Sequence, residues 1–464
     1  MIATILKRVG EKATSFPWLV SPEVENNQDG WIEAFTFERD GGKVQAHLRI
    51  DKSGHGTLFI NANYVYHLNP TASLIARGVL RQQTADQTKR DLSRRYRVSV
   101  KDLDDDYAVT AGQIESLLFD GNACPIHTLE VEHLAPFQVR PTAPYRMDLA
   151  LTYRCNNDCP HCYNARERTF GELSTADTKK MIEKIWKLGI PHIVFTGGEP
   201  TLRNDLPELV AYAAGLGLIA GMNTNARRLT DNKFLSELVE AGLDHIQVTV
   251  ESHLAEVHNR MVNAKAWDQT IHGLQNALET PLYLMTNTTM LRENVDNLPE
   301  TMDFLAALGV PTIGLNALIY SGHGKTVGTG LRASELEPIL RMATEKTRQR
   351  GQRLIWYTPT QYCGFDPQGI SLGVKGCTAA LYNMCLEPNG DVLPCQSYYS
   401  PVGNILRDEW VNIWEHPLCI SLRERQNAPA KCAGCGLFVE CGGGCPLENA
   451  VSEERPLELS VLKH

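Results

Sequence analysis

Between residues 44 and 69 apolar and polar positions alternate one by one, as "VQAHLRID", "GTLFINA" and "YVYHLN", with the polar turn "KSGHG" between the first two. A period of two predicts three short antiparallel strands. Residues 1–30 carry little pattern. After Asn69-Pro70-Thr71 the apolar spacing changes to three and four. "TASLIARGVL", "ADQTKRDLSRRYR" and a stretch over 101–118 ending in "IESLLF" predict three helices. Three strands and then three helices describe a small winged-helix-like α+β domain within residues 1–120. Modules of this kind often bind DNA, but "KDLDDDY" at 101–107 is acidic where the third helix would begin, which disfavours a polyanionic partner. The proline-containing text over 121–143 reads as a linker.

A different rhythm follows. "YRMDLALTY", "HIVFTGG", "IAGMNTN", "HIQVTVES", "LYLMTNTTM" and "TIGLNALI" are strand-like, and an amphipathic helical segment follows each. Ser174 is placed to cap the first of these helices and Gly189 to end it. Six strand-then-helix units over 144–350 imply a parallel sheet with right-handed crossovers. The arrangement expected is a partial (β/α)6 barrel, with a doubly wound open sheet as the competitor. After Gly351 glycine, proline and cysteine dominate, so residues 351–464 are expected to form a cysteine-rich domain in which metal ligation substitutes for a weak apolar core.

Bulk composition narrows the chemistry. The 464 residues are 43% hydrophobic and 21% charged, with a net charge of −9. Nothing here favours nucleic acid or an anionic membrane as a bulk partner. No run of about 18 apolar residues is present, so no membrane span is expected. "MIATILKRVGEKATSFPW" has too short an apolar run for a secretory signal. The expected compartment is therefore the reducing cytoplasm, where 13 cysteines are better suited to metal or redox work than to disulfides. They are also segregated. Cys124 stands apart, three cluster at 155–162, and nine follow between Cys363 and Cys445.

The trio Cys155, Cys159 and Cys162 follows the first strand of the parallel unit, on the rim where α/β barrels place their chemistry. A structural zinc site wants four protein ligands. Here only His161 stands by as a fourth, and its position next to Cys162 would turn it away. Three thiolates around a 4Fe–4S cluster would instead leave one iron open. On this point "CNNDCPHC" resembles the cluster motif of radical S-adenosylmethionine (SAM) enzymes. Three further matches lie at successive strand ends: Gly197, Gly198, Glu199 and Pro200 ("GGEP"), Asn223, Thr224 and Asn225 ("NTN"), and Thr249, Glu251 and Ser252 in "VTVES". The resemblance, which covers about 145–320, implies that the open iron chelates SAM. Electron transfer to SAM would then release a 5′-deoxyadenosyl radical that takes a hydrogen from the substrate. It also implies that GGEP holds the SAM amino group through backbone and glutamate, that the fourth strand end meets the ribose, and that a flavodoxin or ferredoxin supplies the electron. His161 joins the cofactor-binding candidates.

Cys377-x12-Gly390-x4-Cys395 and Cys432-x2-Cys435-x5-Cys441-x3-Cys445 resemble the SPASM extension of the same superfamily, and "EPNGDVLPC" reads as a hairpin delivering Cys395. The resemblance implies two auxiliary 4Fe–4S clusters. Cys377, Cys395 and Cys445 would hold one, with Cys363 as fourth ligand; Cys432, Cys435 and Cys441 would hold the other. The family's last cysteine is missing, since no cysteine follows Cys445. Cys385 or Glu448 is the expected substitute, or else one iron stays open. Buried thiols at Cys385 and Cys419 and a zinc ribbon over 432–445 are the plainer alternatives.

The front domain is similar in pattern to the PqqD-like recognition element of peptide maturases, chiefly in "LFINANYVYHLNPTASLIA". The implied function is a radical SAM maturase of a ribosomally made precursor peptide, forming a thioether or carbon–carbon crosslink. The rival readings are a radical SAM enzyme acting on a folded protein or tetrapyrrole, and an iron–sulfur DNA-binding redox sensor.

Overall fold

A computed structural model describes residues 19–20, 24–26, 30–39, 42–62, 64–95, 100–119, 137, 139–165 and 167–454. Cys124 and most of the expected linker lie outside them. The chain divides into two compact units, one built on an antiparallel sheet and one on a parallel sheet.

The antiparallel sheet has six strands: β1 (Leu19–Val20), β2 (Val24–Asn26), β3 (Gly30–Arg39), β4 (Gly42–Ile50), β5 (Gly56–Ile60) and β6 (Tyr64–Leu68). Their order is β1-β3-β4-β5-β6, with β2 also on β3. β4, β5 and β6 are the three strands expected from alternation. β3 escapes that pattern because Ile32, Glu33, Ala34 and Phe35 are all buried, so no polar face alternates with an apolar one. Glu33 is tolerated inside because Arg77 and Arg81 donate to its carboxylate at 2.9 and 2.6 Å. Helices Pro70–Leu80, Ala85–Arg95 and Val100–Phe119 follow. Asn69 caps the first, accepting from the Ala72 amide at 2.8 Å. Their apolar faces meet the sheet in one core of Phe35, Leu48, Leu58, Ile75, Leu92 and Ile114.

The second sheet runs β13-β12-β11-β10-β9-β8-β7-β14-β15. Its strands are β7 (Arg146–Thr152), β8 (His192–Gly197), β9 (Ile219–Thr224), β10 (His245–Thr249), β11 (Tyr283–Thr289), β12 (Thr312–Asn316), β13 (Arg353–Trp356), β14 (Asn383–Leu386) and β15 (Val392–Leu393). From β7 to β13 spatial order equals chain order. A doubly wound sheet reverses direction at a switch point among its strand–helix units; over β7 to β13 the order never reverses, which selects the partial-barrel arrangement. β7 and β8 are buried along nearly their whole length, as strands covered on both faces must be. Ser174 caps the first crossover helix as expected, accepting from the Asp177 amide at 3.1 Å.

β13 and β14 were not legible in the sequence. β13 pairs in parallel with β12, and β14 in parallel with β7. The parallel sheet thus continues past residue 350 into the cysteine-rich text. Phe195, fully buried on β8, sits centrally in this sheet. Phe195→Ala should lower unfolding free energy by about 3–5 kcal/mol, measured by urea denaturation; a change under ~1 kcal/mol would mean that β8 is peripheral to the core.

Candidate functional site

The loop after β7 carries Cys155, Cys159 and Cys162. Cys155 is exposed and the other two are half-buried. The loop coils tightly, with the Cys162 amide on the Cys159 carbonyl at 3.0 Å. The neighbouring strand ends grip it. Asn225, just past β9, donates to the Asn156 side chain at 2.6 Å. Arg227 bonds the Asn157 side chain at 3.0 Å and the Asn156 carbonyl. The Asp158 amide donates to the Val262 carbonyl at 3.1 Å, and the His323 amide to the Cys162 carbonyl at 3.0 Å.

Gly197 and Gly198 end β8 against the same loop. The Gly198 and Glu199 amides donate to the carbonyls of Thr152 and Arg154 at 2.8 and 2.9 Å. A β-carbon on Gly197 would lie 2.1 Å from the Thr152 carbonyl oxygen, and one on Gly198 2.4 Å from that of Arg154. Only glycine permits this approach. Pro200 begins the short turn Pro200–Leu202 and is buried.

Glu199 is 1% exposed. One carboxylate oxygen accepts from the Thr201 amide and hydroxyl at 3.1 and 2.7 Å and from the Thr224 hydroxyl at 2.8 Å. The other accepts from the Asn225 amide at 2.8 Å. Burial raises its pKa against the opposing pull of these bonds. Its carboxylate ties the end of β8 to that of β9.

Glu251 repeats the device two strands later, after β10. It accepts from the Thr289 amide at 2.9 Å and meets His161 Nε2 at 3.2 Å. Burial lowers the His161 pKa, but the hydrogen bond and charge of Glu251 outweigh it and the net shift is upward. Ser252 is occupied locally, donating to Asn297 at 2.8 Å. Asn223 and Thr249 stand in register opposite Gln247 and Asn287. All three expected strand-end groups therefore converge on one rim with the cysteine loop. Asn156, Arg227 and Val262, which help to hold that loop, were missed, because their contacts span from 69 to more than 100 residues of sequence.

The three thiols fit a cationic cluster. Burial raises all three pKa values, to about 11 at Cys155, and neighbouring acidic groups add to the effect. Such thiols are hard to ionise unless a cation compensates, and a coordinating metal does so outright. Among the described residues no three His, Cys, Asp or Glu side chains converge as the ligands of a single ion do. A multi-iron cluster spreads its thiolates wider.

The remaining cysteines form two groups. Cys377, Cys395 and Cys445 have pKa values pushed up to about 12, chiefly by burial and then by each other's charge. The expected hairpin delivers Cys395: β14 and β15 pair antiparallel, with Gly390 at φ 86° in the turn. Glu448 stands beside Cys445, and the charge of Lys431, the neighbour of Cys432, also acts on it. Cys432, Cys435 and Cys441 make the second group. Three left-handed glycines, Gly442, Gly443 and Gly444, carry the chain from Cys441 to Cys445. Arg425, unnoticed in the sequence, donates to the Phe438 carbonyl at 2.7 Å. Its charge acts on both Cys377 and Cys441.

One expectation needs correction. Cys385 does not complete the Cys432 group. Pairing with Asp148 of β7 and Leu393 of β15 turns it into an apolar cluster with Ala150 and Leu393. Cys363 is exposed, next to Tyr362, whose amide donates to Cys441 Sγ at 3.4 Å. Cys419 is a fully buried thiol on helix Pro417–Arg423.

Comparison with known proteins matches residues 149–305 to the radical SAM superfamily and residues 377–436 to the SPASM iron-sulfur cluster-binding domain. Fe-coproporphyrin III synthase from Methanosarcina barkeri is 36% identical over 203 residues, 43% of this chain and half the length of that relative. Mycofactocin maturase MftC from Mycolicibacterium smegmatis is 30% identical over 65% of this chain and 78% of its own length. The crystal structure of Streptococcus suis SuiB bound to precursor peptide SuiA is similar in fold, with a TM-score of 0.65 at 16% identity, over 85% of this chain and 93% of that one.

Replacing Glu199 with Ala should strand four buried donors and cost about 1–3 kcal/mol, read by urea denaturation of the metal-free chain. A loss below ~0.5 kcal/mol would show that the β8–β9 tie is not formed.

Proposed function

Since the chain belongs to the radical SAM superfamily and carries its SPASM extension, we propose that it is a maturase that modifies a ribosomally made precursor peptide, forming a thioether or carbon–carbon crosslink. Members of this superfamily bind SAM at a 4Fe–4S cluster, and SPASM domains bind auxiliary iron–sulfur clusters. Cys155, Cys159 and Cys162 are the proposed ligands of the first cluster. Held there, the cluster would pass one electron from an external donor to bound SAM, giving methionine and a 5′-deoxyadenosyl radical that would take a hydrogen from the substrate.

The protein's own residues position and shield. Glu199, Asn225 and Glu251 fix the strand ends around the loop, and the glycine pair brings backbone close to it. A flavodoxin or ferredoxin is the proposed electron donor, and the cytoplasm the proposed compartment. Among the described residues no helix is long and apolar enough to cross a membrane.

One observation carries the peptide reading. The likeness to peptide-bound SuiB covers 85% of this chain, more than residues 139–454 can supply, so it extends into the antiparallel unit. That unit offers an edge strand, β6, with Tyr64 and Val65 exposed and Tyr64 stacked on Tyr66 at 6.5 Å between centroids. An extended leader can add to such an edge, with backbone bonds for affinity and side-chain contacts for specificity. Tethering the leader there would raise the effective concentration of the core peptide at the radical site. The identity to Fe-coproporphyrin III synthase favours tetrapyrrole modification as the second reading.

Two experiments test these assignments. Anaerobically reconstituted Cys155→Ala/Cys159→Ala/Cys162→Ala should release no 5′-deoxyadenosine with dithionite, yet keep its auxiliary iron by iron and sulfide counting. Continued SAM cleavage would end the assignment of the trio. Removing residues 1–120 should preserve uncoupled SAM cleavage and abolish modification of a full-length precursor. An unchanged rate on precursor, or turnover of iron coproporphyrin in its place, would favour the second reading.

A further inference from the structure

Residues 446–464 hold no cysteine, and the structure places a thiol from upstream beside the second group. Segment Thr360–Cys363 lies along this group. The Tyr362 amide donates to Cys441 Sγ at 3.4 Å, and Cys441 Sγ donates to the Thr360 carbonyl at 3.5 Å. Gln361 fastens the segment on both sides of the Cys432–Cys441 stretch. Its side-chain oxygen accepts from Lys431 Nζ at 2.7 Å, and its side-chain nitrogen donates to Asn449 at 2.6 Å. The Cys363 thiol lies 3.8 Å from the same Gln361 oxygen. A few residues on, Gln368 donates to Glu440 at 2.8 Å. Thus 360–368 is anchored at 361, 362 and 368 to residues 431, 440, 441 and 449.

From this juxtaposition we infer that Cys363, together with Cys432, Cys435 and Cys441, forms a complete four-thiolate site for an auxiliary iron–sulfur cluster. The fourth thiolate would then come from upstream of the other three. Cys363 and Cys435 are exposed, Cys432 half-buried and Cys441 buried, so this cluster sits at the protein surface. The other group keeps three cysteines, with Glu448 beside Cys445. The inference rests on the SPASM reading of this segment.

A crossed set of variants of the full chain tests it, read by iron and sulfide content and by EPR of the dithionite-reduced protein. In a background with Cys377, Cys395 and Cys445 replaced by Ala, only the SAM cluster and the Cys432-group cluster remain. Adding Cys363→Ala there should remove or convert the auxiliary signal, to a three-iron form or to none. In the opposite background, with Cys432, Cys435 and Cys441 replaced by Ala, Cys363→Ala should leave the spectrum unchanged. The reverse pattern, with Cys363→Ala altering only the second background, would overturn the inference and return Cys363 to the first group. An unchanged spectrum in both would also overturn it, by showing that Cys363 ligates nothing. Cys363→Ser guards against a folding defect: a serine oxygen in the coordination sphere shifts the EPR signal and lowers the midpoint potential, whereas an unliganded serine leaves both as in the wild type. Wild-type protein that takes up iron only at the SAM cluster would refute the SPASM reading itself, a result distinct from either pattern.

Discussion

A carboxylate with almost no solvent exposure holds the rim of the parallel sheet in shape. Burying Glu199 is costly unless each oxygen finds donors, and four donors from Thr201, Thr224 and Asn225 meet it. The consequence is geometric. The ends of β8 and β9 are locked together, and Asn225, held through its amide, is left to present its side chain to Asn156 in the cysteine loop. Glu251 extends the lock to β11 through Thr289 and to the loop through His161. Loops that carry cofactor ligands are ordinarily the most variable part of a fold. This one is fastened by partners on several different elements, so three weakly acidic thiols are held in place before any iron arrives.

The sequence disclosed what was local. The six strand–helix units follow from periodicity, and the helix cap at Ser174 from a single residue type. Cys155, Cys159, Cys162, GGEP and NTN stood out because each is compressed into a few positions. What stayed hidden depends on long-range pairing. β14 is four residues long and exists because β7 lies beside it. β3 is buried on both faces over residues 32–35, so its alternation is erased there, and Glu33 within that run is neutralised by arginines more than forty positions away. The tie made by Glu199 stayed hidden for the same reason, since its partners at Thr224 and Asn225 are not adjacent to it in the chain.

The cysteine-rich region shows the limit of reading spacing alone. Spacing sorts Cys432, Cys435 and Cys441 together, and the structure agrees. Spacing has nothing to say about Cys363, 69 positions before Cys432. Cys385 illustrates the opposite error. It sits among candidate ligands in the text, yet strand pairing turns it into the apolar interior.

The pairing of β14 with β7 gives iron a say in folding. β14 and β15 form a hairpin of six strand residues, too short to persist unaided in water, and the segment that follows it delivers Cys395. Metal bound there adds its binding free energy to the hairpin, and the hairpin is the sheet neighbour of the strand that ends at the Cys155 loop. A chain made under iron starvation would therefore lack support at the edge of β7 as well as its cofactors. Cofactor loading and the stability of this sheet edge would then rise and fall together.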